Sequence, residues 1–216
     1  MKHYSAYIFD FDGVIKDSVK VKSEAFVQLY ESEGNEFQQK VEKYHLANGG
    51  ISRYVKFKVW NEWLGRSTSE EAIDELAKKF AQLVIDNVVL SPYVNGALAA
   101  VEAASNKALT FIATGTPDDE INLILSQLEL GGFFHEVHGS SRKKSVIVKD
   151  ILKRFLLSPS DVLFIGDAQT DYQAASEHGL DFYLRKTDYN SDWFEGKPDV
   201  TYQKNDLNYL KELINK

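Results

Sequence analysis

The sequence predicts an α/β protein: a Rossmann-like parallel sheet with helices on both faces, plus a small all-helical domain inserted after the first strand. Three observations carry this. Ala6–Phe9, Ala108–Ala113 and Val162–Ile165 are short apolar runs without polar alternation, as strands buried on both faces are. From Ser91-Pro92 onward such runs alternate with helical periodicity, the order that builds a parallel sheet. Between about Val19 and Val88, by contrast, the pattern is helical throughout.

The elements follow in order. Ala6-Tyr7-Ile8-Phe9 is rich in β-formers and stops abruptly at Asp10-Phe11-Asp12-Gly13. Ala25, Phe26, Leu29 and Tyr30 fall at helical spacing, as do Val55, Val59 and Trp63, then Ile73, Leu76, Phe80, Leu83 and Val84. A helix around Leu98–Glu102 precedes the second strand. Ile121, Ile124, Leu125 and Leu128 mark the next helix, and Val146–Phe155 another. After the third strand come a helix over about Tyr172–Glu177 and a strand at Phe182-Tyr183-Leu184. Val200–Lys216 reads as a closing strand fragment and a surface helix. The predicted organisation is an α/β core of residues 1–15 and 91–216, and a helical domain of residues 16–90.

Bulk properties exclude several classes. At 216 residues the chain can bury a full core. A formal net charge of -7 argues against a nucleic-acid binder, which needs a basic face. The absence of Cys removes disulfides, thiolate zinc sites and cysteine nucleophiles, and fits a reducing cytoplasm. No segment has the apolar length of a membrane span, and the first residues lack the pattern of a secretory leader. The expected partner is a small soluble molecule, with neither nucleic acid nor membrane.

In open parallel sheets ligands bind beyond the carboxyl ends of the strands. Asp10 and Asp12 follow the first strand there, Thr114-Gly115-Thr116 the second and Gly166-Asp167-Ala168-Gln169-Thr170-Asp171 the third, while Arg142-Lys143-Lys144 precedes a helix. Carboxylates, a hydroxyl with glycine amides and a lysine suit a phosphate bound with a hard cation. Mg²⁺ takes oxygen ligands, a few of them carboxylates, which Asp10, Asp167 and Asp171 can supply. Thr114 and the following amides can hydrogen-bond phosphoryl oxygens, with a lysine adding charge. Aspartate can attack phosphorus to give an acyl phosphate, and an acid two residues away can move protons.

These segments, taken together, resemble the haloacid dehalogenase-like hydrolase superfamily, in its phosphatase branch with a small helical cap (phosphoglycolate phosphatase and β-phosphoglucomutase-like members). The resemblance spans nearly the whole chain. Asp10-Phe11-Asp12-Gly13-Val14 matches the first motif. It implies Asp10 as nucleophile and metal ligand, Asp12 as acid/base with its carbonyl on the metal, and Gly13 beside the substrate. Thr114, with Gly115 after it, matches the second motif. Gly139–Lys144 resembles a variant of the third, with Lys144 in the lysine role and Lys143 in reserve. Gly166-Asp167 with Asp171 matches the fourth, implying Asp167 as metal ligand and Asp171 as direct or indirect ligand. The implied cofactor is Mg²⁺ and the implied reaction is hydrolysis of a small-metabolite phosphomonoester.

The insert then corresponds to the cap, hinged near Ile15–Ser18 and Leu90–Pro92, and substrate choice is expected there. Asn48-Gly49-Gly50-Ile51-Ser52-Arg53 looks like the cap loop of β-phosphoglucomutase-like members, where Arg53 would bind a second phosphate or a carboxylate. The alternative is a glycine turn capped by Ser52 with Arg53 in solvent. Gly49 stands where those relatives carry a lysine, and Lys22 where they carry a histidine. Both departures favour hydrolysis over a mutase reaction. Imine chemistry on Lys16, Lys20 or Lys22, as in phosphonate hydrolases, competes with the expectation that these are surface lysines. Dehalogenation is disfavoured because such enzymes lack the acid at Asp12. A receiver-like phosphate-binding protein is disfavoured by Asp12 and the insert. Tyr54, Phe57, Trp60 and Trp63 are expected to pack within the cap, and His135 and His138 to lie in a surface loop.

Overall fold

β1 (Ala6–Phe9) is the sheet's hub because every one of its side chains is buried. It pairs with β2 (Leu109–Ala113) on one side and β4 (Val162–Gly166) on the other, both parallel. The computed structural model, which describes residues 2–216, extends the sheet with β3 (Glu136–His138), β5 (Asp181–Arg185) and β6 (Tyr202–Lys204), in the order β3-β2-β1-β4-β5-β6. Tyr7 and Phe9 face one apolar core, while Ala6 and Ile8 face another. Two-sided burial is why these strands lack polar alternation.

Helices cover both faces. On the Ala6 side lie α7 (Lys144–Arg154), α8 (Gln169–His178) and the short α9 (Ser191–Phe194), which bury Ile147, Ile151, Ala174, Ala175 and Phe194. The opposite side carries α5 (Ala97–Ser105), α6 (Asp118–Gln127) and α10 (Asn208–Asn215), which bury Ala100, Val101, Ile121, Leu125 and Leu210. The connections run as successive parallel crossovers, so the carboxyl ends of β1, β2 and β4 come out along one edge.

Between β1 and α5 run α1 (Val19–Leu29), α2 (Asn35–Ala47), α3 (Arg53–Trp63) and α4 (Glu70–Leu90). Ser69 caps α4 through the Ala72 amide, with Glu70 and Glu71 in its first turn, complementing the exposed amides of a helix start. Phe26 stacks on Phe80 with ring centroids 4.0 Å apart and meets Trp60 edge-on at 5.0 Å. Removing such a ring typically costs about 3–5 kcal/mol. The expected aromatic cluster divides: Phe57 and Trp60 are fully buried, whereas Tyr54 and Trp63 are each 36% exposed. α4 also packs on α6, joining these helices to the sheet layer.

Two expectations are corrected. His135–His138 is not a loop; Glu136–His138 forms edge strand β3 beside β2. Its three half-buried residues, two of them polar, give no apolar run to read. His138 lies between the Glu136 carboxylate (2.9 Å) and Arg142 (3.0 Å), and His135 Nδ1 accepts from the Thr110 amide. Lys16 and Lys22 are not surface residues. Lys16 bridges to Tyr93 at the crossover, donates to the Val89 carbonyl at 2.9 Å and sits over the Tyr93 ring. Lys22 points inward, whereas Lys20 stays exposed. Among the described residues no helix is long and apolar enough to cross a membrane.

Candidate active site

The register aligns Phe9 with Ile112 and Ile165, so Asp10, Thr114 and Asp167 leave the sheet side by side. The Asp10 amide still bonds the Ile165 carbonyl, and the Thr114 amide bonds the His138 carbonyl. Both side chains are therefore fixed by the last rungs of the ladder. Asp10 is buried, with one carboxylate oxygen accepting from the Phe11 amide at 2.7 Å and the other 2.9 Å from Lys144 Nζ.

Lys144 begins α7, and its ammonium also pairs with Asp171. Burial works against its charge, but Asp10 and Asp171 outweigh that and raise its pKa, so it stays protonated. Lys143 is exposed, so its neighbour alone enters the cluster. Asp171 sits at the third position of α8 and its second oxygen accepts from the Ala168 and Asp167 amides, the reach-back of an acidic residue to a helix start. Both Asp171 oxygens are thus engaged.

Asp167 differs. Among the described residues its carboxylate receives no hydrogen bond, and burial followed by the charges of Asp10 and Asp171 holds its pKa well above the ordinary range. Gly13 is what lets it approach: φ there is +77°, and a Cβ would stand 2.1 Å from Asp167 Oδ2. The substrate-side role expected of Gly13 has therefore a steric counterpart at the carboxylate cluster. Oxygens of Asp10, Asp167 and Asp171 lie within 4.8 Å of one another. Three carboxylates meet a single ammonium in this buried pocket, and an all-oxygen, acid-rich donor set fits a hard divalent cation. Asp10 and Asp167 are the carboxylates with capacity to hold it. The Asp12 side chain points away from this group.

Asp12 is instead enclosed by partners. Ser18 Oγ donates to one oxygen at 2.6 Å, and Thr116 Oγ1 (2.9 Å) and Lys22 Nζ (2.5 Å) reach the other. Burial opposes its ionisation, but the Lys22 charge and these hydrogen bonds win and lower its pKa. Lys22 also bonds Thr116 at 2.7 Å. The sequence places Thr116 in the polar segment after the second strand and Ser18 at the hinge, but gives neither of them a role at Asp12.

A cavity of about 470 Å³ runs from Asp10, Asp12, Thr114 and Asp167 up to Lys22, His45, Arg53 and Lys56 on the inserted helices. The loop before α3 closes one side: Gly50 adopts φ +73°, and its carbonyl comes so near Gly115 that a Cβ there would lie 2.8 Å away. Arg53 is 4% exposed and clamps Glu120 of α6 with two hydrogen bonds, 2.9 and 2.7 Å. The solvated Arg53 of the alternative reading is thus excluded, and Ser52 makes no side-chain cap. Glu120 is the partner no motif announced.

Comparisons with known proteins agree with this architecture. Residues 7–184 match the family model for haloacid dehalogenase-like hydrolases. No curated protein matches the chain. Among solved structures, an inferred phosphoglycolate phosphatase from Haemophilus somnus 129PT superposes with TM-score 0.75 at 17% identity, covering 100% of this chain and 98% of the other. The magnesium-bound orthorhombic form of the inferred HAD-hydrolase YfnB from Bacillus subtilis gives 0.72 at 18% identity over 100% of both chains. CbbY from Rhodobacter sphaeroides, in complex with phosphate, gives 0.73 at 13% identity over 97% of this chain and 96% of that one. These structures share the fold; the matched segment, which contains the whole carboxylate cluster, assigns the chain. It belongs to the haloacid dehalogenase-like hydrolase family.

Proposed function

We propose that the protein is a Mg²⁺-dependent phosphatase that hydrolyses a small-metabolite phosphomonoester through an aspartyl phosphate on Asp10. The observation that carries this reading is the convergence of Asp10, Thr114 and Asp167 at the carboxyl ends of adjacent parallel strands, at the floor of one cavity, with Lys144 at the start of α7 paired to Asp10 behind them. Asp10 and Asp167 would hold Mg²⁺, with the Asp12 carbonyl, and Asp171 would act indirectly by seating Lys144. Bound there, the cation supplies charge that offsets repulsion between carboxylate and phosphate.

The remaining work falls to the protein's own groups. The Asp10 oxygen attacks phosphorus as the ester P–O bond breaks, and the leaving oxygen takes a proton from Asp12 as it departs toward the cavity. Thr114 and the Gly115 amide donate to the phosphoryl oxygens, and Lys144 balances their charge. Asp12, then in the ionised form that Lys22, Ser18 and Thr116 favour, takes a proton back from the water that hydrolyses the acyl phosphate. That poise favours leaving groups that need little protonation. Residues 16–90 would serve as a cap over the core of residues 1–15 and 91–216, excluding water during the first step; the Bacillus relative is described as undergoing interdomain movement. The phosphate seen in the Rhodobacter relative is consistent with the same ligand class. The absence of Cys suits a cytoplasmic enzyme.

The test is release of phosphate from p-nitrophenyl phosphate with Mg²⁺ and with chelator. Activity should require Mg²⁺ and disappear in Asp10→Asn. Full activity in that variant would remove the mechanism.

A further inference from the structure

Three buried cations line the upper part of the cavity: Lys22 of α1, and Arg53 and Lys56 of α3. Lys22 is neutralised by Asp12 and Arg53 by Glu120. Lys56 is 2% exposed, yet among the described residues no carboxylate forms an ion pair with it. Its Nζ meets His45 Nδ1 of α2 at 2.9 Å and lies 5.7 Å from the centre of the Phe26 ring. His45 is itself buried against Phe26, ring centroids 4.8 Å apart.

The groups around this ammonium all come from elements that pack on it. α1 contributes Lys22 and Phe26, α2 His45, α3 Arg53 and α4 Phe80, while Asp12 faces it from the core. Burial, then the charges of Lys56 and Lys22, hold His45 well below its ordinary pKa, so the neutral ring accepts the lysine's hydrogen bond. Burial and the Lys22 charge pull Lys56 down to about 7, with Asp12 working the other way. An uncompensated buried charge is costly. This one is held by a dedicated partner at the wall of a cavity, above a nucleophile. None of the described residues supplies its counter-ion, and the cavity leaves space for one beside it.

We infer that Lys56, positioned by His45, binds a second anionic group of the substrate, a carboxylate or a second phosphate at the end remote from the phosphoryl group. The inference rests on the reading that the phosphoryl group docks at Asp10. Lys56 is then a specificity-determining residue that touches substrate without taking part in bond cleavage. Binding of the anion keeps the ammonium protonated, so near neutral pH the complex takes up a proton.

Three unreactive ligands test this with the intact protein and Mg²⁺: propylphosphonate, 3-phosphonopropionate and propane-1,3-diphosphonate, titrated calorimetrically at pH 7 in buffers of different ionisation enthalpy. At least one doubly anionic ligand should bind roughly tenfold or more tighter than propylphosphonate, the scale of one charge-assisted hydrogen bond. The tighter of the two identifies carboxylate or phosphate as the recognised group. Its binding should take up about half a proton, as expected for a group titrating near 7 that becomes fully protonated. Lys56→Met should abolish both the preference and the uptake, and Lys56→Arg should restore the preference without the uptake. Equal affinity for all three ligands in the unmodified protein, including no binding of any, would overturn the inference, as would a preference that survives in Lys56→Met. These ligands are not turned over, so the outcome is read separately from the aryl phosphate assay that tests hydrolysis.

Discussion

Lys144 holds two buried carboxylates with one ammonium, and Lys144→Met removes that ammonium while keeping an unbranched apolar chain in its place. Its Nζ lies 2.9 Å from Asp10 and pairs also with Asp171, with side-chain exposures of 5%, 4% and 0%. The variant leaves Asp10, Asp167 and Asp171 together with no cation among them. Breaking one buried pair by deleting a partner costs about 3–5 kcal/mol. Here one ammonium serves two carboxylates, so the upper end, about 5 kcal/mol, is expected at pH 8. Against a typical total stability of about 5–15 kcal/mol, that is a large fraction. The sign of the pH dependence follows from the cluster. Asp167 and Asp171 already have folded-state pKa values raised by burial and neighbouring charge above the roughly 3.9 of an unfolded aspartate, and losing the ammonium that lowers both raises them further. Their destabilisation is therefore full above the folded values and fades as pH falls toward the unfolded one. Urea denaturation with chelator present should show the gap between variant and parent shrinking from about 5 kcal/mol at pH 8 to less than half of that near pH 5. A gap below about 1 kcal/mol at pH 8, or one independent of pH, would refute the buried-charge reasoning.

Two further perturbations probe the neighbouring contacts. Lys22→Met removes the main influence that lowers the Asp12 pKa, so the acidic limb of the pH–rate profile for an aryl phosphate should move to higher pH, leaving activity above neutrality less affected; an unmoved limb would separate Lys22 from Asp12. A double-mutant cycle of Arg53→Ala and Glu120→Ala, read by urea denaturation, should give a coupling of about 1.5–3 kcal/mol for their paired charged hydrogen bonds, and additive effects would mean the clamp contributes nothing.

How much of this was legible in advance depended on the range of the physics involved. The core strands could be read because two-sided burial leaves unbroken apolar runs, as in Val162–Ile165. The edge strand β3 could not, because a strand as short as Glu136–His138 draws its hydrogen bonds from a neighbour and needs no apolar face, whereas β6 was legible as the strand fragment that opens Val200–Lys216. Asp10, Thr114 and Asp167 were locatable because each directly follows a buried strand, and the rule that ligands gather at strand ends is local to each motif.

The sequence by itself determined the parallel α/β core, the helical insert and the order of the polar segments along the sheet, since these follow from periodicity and from residues adjacent in the chain. Only the tertiary structure decided which side chains meet. It brought Lys144 rather than Lys143 to Asp10, because one step along the start of α7 turns a side chain from solvent to the interior. It set Lys22 against Asp12, Glu120 against Arg53, and His45 against Lys56. Each of these pairs joins residues distant in sequence or on different helices, and nothing in the local pattern of either partner records the other.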